Sequence, residues 1–276
     1  MLARVLRSPK LLDVMEALYS QGSDPMSSLS HLVGLVVVLF LSVPMVISAR
    51  RSWSTFLFTL QFAVASVLLL TISSVFHMMA TGTPARELML RLDIAAIFVL
   101  IASTFTVLHG ILFTGWKRWA IISLLWTISV VGAALRCLFF QGIPGYVGDG
   151  IFLLMGWIGA FSAFLLWKDY RWRGVGPVVI GGVCYTVGAL MNTFDWPQFL
   201  PGIWGPHETF HLFVLAGLGT HWALVWSIAD GSFQRQSQAS QQSRETLLTV
   251  QDSTLEFPQP GISHSSGRSQ VRSQTE

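Results

Sequence analysis

The apolar positions of this chain gather into seven long runs, divided by short polar or glycine- and proline-bearing segments. They extend from His31 to Ser48, Thr55 to Met79, Leu92 to Leu112, Trp119 to Phe140, Ile151 to Trp167, Gly174 to Met191 and Glu208 to Ser227. A helix rises 1.5 Å per residue, so runs of this length cross roughly 30 Å of hydrocarbon. The fifth run is the shortest. The sixth is rich in glycine (Gly176, Gly181, Gly182, Gly188), which suits close helix packing more than lipid exposure. The breaks carry Arg50-Arg51, Gly82 to Pro84, Gly115, Gly142 to Gly150 and Pro197 to Pro206. From residue 231 the chain turns to Ser, Gln, Thr and Arg, a composition that predicts a disordered tail. The expected organisation is an N-terminal tail over 1–28, a seven-helix transmembrane domain over 29–230 and a polar tail over 231–276. The predicted fold class is an all-α integral membrane protein.

Composition agrees with this pattern. The chain is 52% hydrophobic and 11% charged, against about a quarter charged for a soluble domain. A net charge of +3, dispersed along the chain, argues against a nucleic-acid partner and leaves membrane lipids as the expected surroundings. Trp53, Trp116, Trp119, Trp167, Trp172, Trp196 and Trp204 lie at or near run ends, where an aromatic belt belongs. Cys137 and Cys184 form no C-x-x-C site and point to no disulfide. Leu11 to Tyr19 fits a short helix lying on the membrane surface, and Asp13 and Glu16 argue against a mitochondrial presequence.

An odd number of spans puts the two ends of the domain on opposite sides. We call the side of the N-terminus side A and the other side B. Side B loops carry Arg50, Arg51, Lys117, Arg118, Lys168, Arg171 and Arg173, while side A carries Arg86 and Arg91, with Arg136 just inside. The charge bias places side B in the cytoplasm.

Ionisable residues inside or beside membrane helices are costly, and each is a candidate site. His77 ends the second run, Asp93 begins the third, and His207 and His211 begin the seventh; all four belong to side A. His207 and His211 stand four residues apart, so their rings share one helix face. Ser73 and His77 repeat that spacing. Three histidines from two helices make a zinc-binding set with an open fourth position, the catalytic type. Zinc brings the pKa of water down towards 7. Asp93 is placed to accept a proton from that water, and Ser73, one turn deeper than His77, to hydrogen-bond the water or a reacting carbonyl. Imidazole ligands also suit copper, iron and nickel. The plainer reading is that these histidines sit in the headgroup layer and that Ser73 bonds its own backbone.

His207-Glu208-Thr209-Phe210-His211 also fits the zinc-protease pattern H-E-x-x-H. No Pro-Asp-Gly type segment supplies a further ligand, and Glu208 follows Gly205-Pro206 at a helix start, where a carboxylate favours the dipole. His31 is a candidate for the surroundings of the site. His109 lies near side B, His221 is roughly 15 Å deeper than His211, and His264 is in the tail. Without a lysine in the last run there is no retinal attachment point.

Four segments resemble the progestin and adipoQ receptor family, in its microbial hemolysin III branch. Ser30-His31-Leu32-Val33-Gly34 is similar to the family's T-H-x-x-G. Ser73-Ser74-Val75-Phe76-His77 fits S-x-x-x-H. Arg91-Leu92-Asp93, with Ile101-Ala102-Ser103-Thr104-Phe105-Thr106, resembles R-L-D and I-A-G-T-Y-T. His207 to His211, with Gly217 and His221, resembles H-E-x-F-H and its following histidine. Asp24 and Ser28 stand where a Glu and an Asn are expected, Ser103 replaces a glycine, and Val107 stands where proline often follows. The resemblance implies a seven-helix bundle of the adiponectin-receptor type, with zinc on His77, His207 and His211 and with Ser73 and Asp93 beside it. It also implies, through the related alkaline ceramidases, hydrolysis of lipid amides. The adiponectin receptors keep their N-terminus in the cytoplasm, opposite to the charge bias here. The expectation is therefore a zinc-dependent, ceramide-type amide hydrolase of the cell (plasma) membrane, acting on a lipid within the bilayer. The rivals are a receptor or sensor with structural zinc, and a membrane-lytic protein.

Overall fold

The computed structural model describes residues 24–142, 145–200 and 204–255. The proposed surface helix from Leu11 to Tyr19 and His264 lie outside them. Seven helices are long and apolar enough to cross a membrane. They are α1 (Pro25–Ser48), α2 (Trp53–Met78), α3 (Pro84–Leu112), α4 (Trp116–Leu138), α5 (Gly150–Trp172), α6 (Gly174–Thr193) and α7 (Pro206–Ala229). The helix running through α5 and α6 is interrupted at Arg171, whose φ of 56° is not helical.

Local chemistry sets the ends. Ser52 accepts the Thr55 N–H at 3.1 Å before α2, and Thr83 accepts the Arg86 N–H at 3.3 Å before α3. Pro25, Pro84 and Pro206 open α1, α3 and α7, in the first turn, where a missing N–H costs nothing. Two starts fall a full turn or more earlier than the sequence bounds suggest. α1 begins at Pro25 rather than near residue 29, and α3 begins at Pro84 rather than at Leu92. Pro25 opens α1 without a side-chain cap, while the Thr83 cap and Pro84 start α3, and hydropathy registers none of these. As a result Asp93 does not begin α3; it lies nine residues after Pro84, about 13 Å along the helix.

Successive helices pack side by side, and α1 closes the ring against α7. α3 is the most enclosed span, with 67% of its apolar window buried, against 17% for α1. It accordingly contributes to both apolar cores: Phe98, Phe105 and Leu108 pack with α4 to α7, and Ala96, Leu100 and Val107 pack with α1, α2 and α7. The outward surface is apolar, with Phe40 77% and Val43 62% exposed on α1. In lipid this costs nothing, and association rests on close packing instead. At Gly217 a Cβ would lie 2.8 Å from the Tyr185 ring, so a larger residue would push α7 away from α6.

After α7, Gly231 takes φ 75° and the chain enters α8 (Ser232–Leu255). The expected disordered tail from 231 is thus a helix over this stretch, which holds no glycine or proline and many good helix formers. Ser232 N–H donates to Asp230 Oδ1 at 2.7 Å at its start. From residue 235 onward this helix belongs to a separate unit of the chain.

Candidate metal centre

His77 ends α2, one residue before its last, and His207 and His211 occupy the first two turns of α7. Their ligand atoms lie within 4.8 Å of one another. His77 and His211 are buried and His207 is half-buried. The Nε2 atoms of His77 and His207 are 3.5 Å apart, close to the roughly 3.3 Å that two ligands at Zn–N distances of about 2.0–2.1 Å would show in a tetrahedron.

The opposite ring atoms are held by polar partners. His77 Nδ1 donates to Asp24 Oδ2 at 3.2 Å, and His207 Nδ1 donates to Asn192 Oδ1 at 3.0 Å. Each partner fixes the proton on Nδ1 and leaves an Nε2 lone pair free. Two such lone pairs facing each other repel unless a proton or a metal ion lies between them. The donor set therefore fits a metal ion, and partners of this kind are those that orient metal-binding imidazoles.

Asp24 is itself anchored. Arg86 Nη2 donates to Asp24 Oδ2 at 2.9 Å, and Arg86 Nη1 bonds the carbonyls of Phe76, at 3.2 Å, and Met79. The Asp24 N–H donates to the His77 carbonyl at 2.9 Å. The His77 hydrogen bond, helped by Arg86, holds the Asp24 carboxyl below its ordinary range, against partial burial.

Asp93 lies beside the cluster, and Ser73 lies beside Asp93. Asp93 interacts with His77 and with the Ser73 hydroxyl, and its Oδ1 is enclosed with no hydrogen-bond partner among the described residues. Its position two turns into α3 lets it face Ser73, one turn deeper than His77. His31 stacks on His211, with ring centroids 4.0 Å apart, and both of its nitrogens are buried without a partner among the described residues.

Other candidates fall elsewhere. Glu208 Oε2 accepts the Gly205 N–H at 2.8 Å and its Oε1 accepts the Ser27 hydroxyl at 3.2 Å. Oε2 thus closes the α7 N-terminus and Oε1 ties it to α1, so both oxygens are engaged by groups other than the histidines. His221 lies edge-on to Tyr185 with centroids 5.5 Å apart, away from the cluster. His109 bonds the Lys117 carbonyl and Ser162 near side B. Arg136 is buried, with its guanidinium over the Phe140 ring.

Asn192 and Arg86 carry no spacing signal and emerge from the fold alone. Asn192 ends α6, and only the hairpin-like return into α7 brings it to His207.

Comparison with known proteins agrees with this architecture. The chain is 25% identical over 194 residues to Hemolysin-3 of Bacillus cereus, covering 69% of this chain and 84% of that protein. It is 26% identical over 195 residues to the Hemolysin-3 homolog of Bacillus subtilis (strain 168), covering 69% and 87%. The model of the family described as haemolysin-III related matches residues 19–222. The span of that match takes in all three histidines, Ser73 and Asp93, and the chain is a multi-pass membrane protein belonging to the haemolysin-III related family.

Proposed function

We propose that this chain is a zinc-dependent hydrolase of lipid amides, with ceramide-like molecules as substrates, working in the cell membrane. The observation that carries the reading is the pair of orienting bonds, from Asp24 to His77 and from Asn192 to His207, which leave two Nε2 atoms 3.5 Å apart beside His211. Such a set would hold a zinc ion through His77, His207 and His211 and leave one position open for chemistry. Zinc, when bound, supplies Lewis acidity: it polarises a carbonyl and makes water acidic enough to attack near pH 7.

The remaining work falls to this chain's own groups. Asp93 Oδ1, without a protein partner among the described residues, accepts the proton of the attacking water and returns it to the leaving nitrogen. The Ser73 hydroxyl orients the water or the amide oxygen. An apolar groove of about 510 Å³ between α1 and α7 begins at Val33 and Gly34, within one turn of His31, and gives room for an acyl chain.

Metal analysis of the purified protein tests the reading. About one zinc per chain, lost in His207→Ala/His211→Ala, is the expected result; Asp93→Asn then retains zinc and loses amide hydrolysis. A well-folded wild type that takes up no metal would overturn it.

A second reading draws on the same ligands. They join α2 to α7, as a structural staple in a receptor or sensor would. It differs in outcome, because there Asp93→Asn changes nothing and His77→Ala destabilises the bundle. The lytic activity in the names of the Bacillus relatives would require the purified protein to permeabilise liposomes.

A further inference from the structure

The segment joining α6 to α7 is apolar and exposed, as is the start of the α4–α5 connection, where Leu138 is 75% and Phe139 59% exposed. Phe194 is 74% exposed, Trp196 68%, Phe199 58% and Leu200 49%. Asp195 is the one charged residue between Thr193 and Pro206. By contrast, the side A turn between α2 and α3 presents Ala80, Thr81 and Gly82.

The segment is shaped rather than loose. The Gln198 side-chain amide donates to Asp195 Oδ1 at 3.3 Å, and Leu200 and Trp204 exchange backbone hydrogen bonds at 3.0 and 2.8 Å. These bonds satisfy polar groups internally, and that is what a segment leaving bulk water requires. Asn192, which bonds His207, precedes it, and Gly205, whose N–H donates to the Glu208 carboxylate, ends it.

The apolar face also has a continuation. On α6, Ile180, Val183 and Leu190 are exposed, at 47%, 55% and 42%, as part of the lipid-facing surface of the bundle. Phe194 prolongs this strip past the end of the helix. Aromatic side chains at such a level belong to the headgroup layer, where an apolar ring and a polar edge are both satisfied.

We propose that the segment from Phe194 to Leu200 is inserted into the lipid headgroup layer, with phospholipid as its partner, so that the bilayer interface lies directly beside His207. This goes beyond the hydrolase reading and does not depend on it, since insertion is measured without any activity. A docking site for a soluble protein would need the same face to be bathed in water, and this is the alternative that the test decides.

The experiment is spin labelling of the full chain reconstituted in phosphatidylcholine–phosphatidylglycerol vesicles, in a Cys137→Ser/Cys184→Ala background. Labels are placed at Phe199→Cys, at Phe194→Cys as an independent second site, and at Thr81→Cys as the reference on the same side. The expected result is a several-fold higher ratio of oxygen to nickel-chelate accessibility at both segment positions than at Thr81. A water-like ratio at the segment, equal to that of Thr81, would overturn the proposal. A third readout leaves the cysteines untouched: the Trp196→Phe substitution should remove a component of the tryptophan emission that shallow brominated lipids quench. If that component is instead quenched by aqueous iodide and spared by the lipids, the proposal fails.

Discussion

The Nε2 atoms of His77 and His207 face each other at 3.5 Å, while the Nδ1 atom of each ring is committed to an oxygen of another residue. Without a proton or a metal ion between them the two lone pairs repel; with a metal ion they become ligands. Metal binding is thereby linked to stability. At a free zinc concentration a hundred times the dissociation constant, a single site contributes about 2.7 kcal/mol. Adding zinc to chelator-treated protein should raise its thermal midpoint, and His207→Ala should abolish the rise. A wild type whose midpoint ignores zinc would show that the rings are not arranged for it.

Asp24 would act on a bound metal through His77. Replacement by alanine frees the His77 ring to adopt either tautomer and releases Arg86 Nη2. Loss of such an orienting partner typically weakens metal affinity about 10- to 100-fold. Asp24→Asn should fall between alanine and wild type, because the amide oxygen still accepts from Nδ1 but the charge is gone. Competition with a fluorescent chelator measures this, and an affinity unchanged in Asp24→Ala would remove Asp24 from the site.

The seven spans were legible because hydrophobic length alone defines them, and so were His77, His207 and His211, since four-residue spacing and helix counting put them on one side. The partners were not. Asp24 could be placed only near the expected acidic position, and Asn192 had no signal: its bond to His207 depends on how the α6–α7 segment returns. Asp93 was readable as a neighbour of His77, yet its depth depended on the Thr83 cap and Pro84, which start α3 two turns before the apolar run. The helix after residue 231 was illegible for a different reason. Polar composition reports the absence of a core, while a stretch free of glycine and proline can still be helical, as Ser232–Leu255 is.

Asn192 gives the sharper test of the orienting bonds, since it lies outside the family motifs read in the sequence. Asn192→Leu keeps the volume and removes the acceptor of His207 Nδ1. Metal affinity should fall about 10-fold or more, with the helical signal intact. Asn192→Asp supplies a stronger acceptor and should restore it. If both variants bind as wild type does, the His207 ring is held by packing alone.

Glu208 separates capping from catalysis. Its carboxylate closes the first turn of α7 by accepting the Gly205 N–H. Glu208→Gln retains an acceptor oxygen there and should leave metal content and amide hydrolysis near wild type. Glu208→Ala removes the cap at a cost of about 1 kcal/mol, seen as a lower thermal midpoint with the metal still bound. Loss of all activity in Glu208→Gln, with folding and metal preserved, would instead revive the H-E-x-x-H chemistry that the capping geometry argues against.

His109 and Ser162 pose the opposite question, since they have the look of a nucleophile and its base. The Ser162 hydroxyl donates to His109 Nε2 at 2.8 Å, and His109 Nδ1 donates to the Lys117 carbonyl at 2.7 Å. Both side chains are fully buried, and the His109 ring is stacked on Phe113, with centroids 4.8 Å apart. No substrate reaches a hydroxyl so enclosed, and the pair instead ties α3, α4 and α5 together near side B. Ser162→Ala leaves a buried nitrogen without its hydrogen bond, a loss of about 1–3 kcal/mol. The thermal midpoint should fall while zinc content stays at wild-type level, because His77, His207 and His211 lie at the other end of the spans. A variant of unchanged stability but no activity would mean that the pair opens to substrate, and would make it the reactive group that its burial denies.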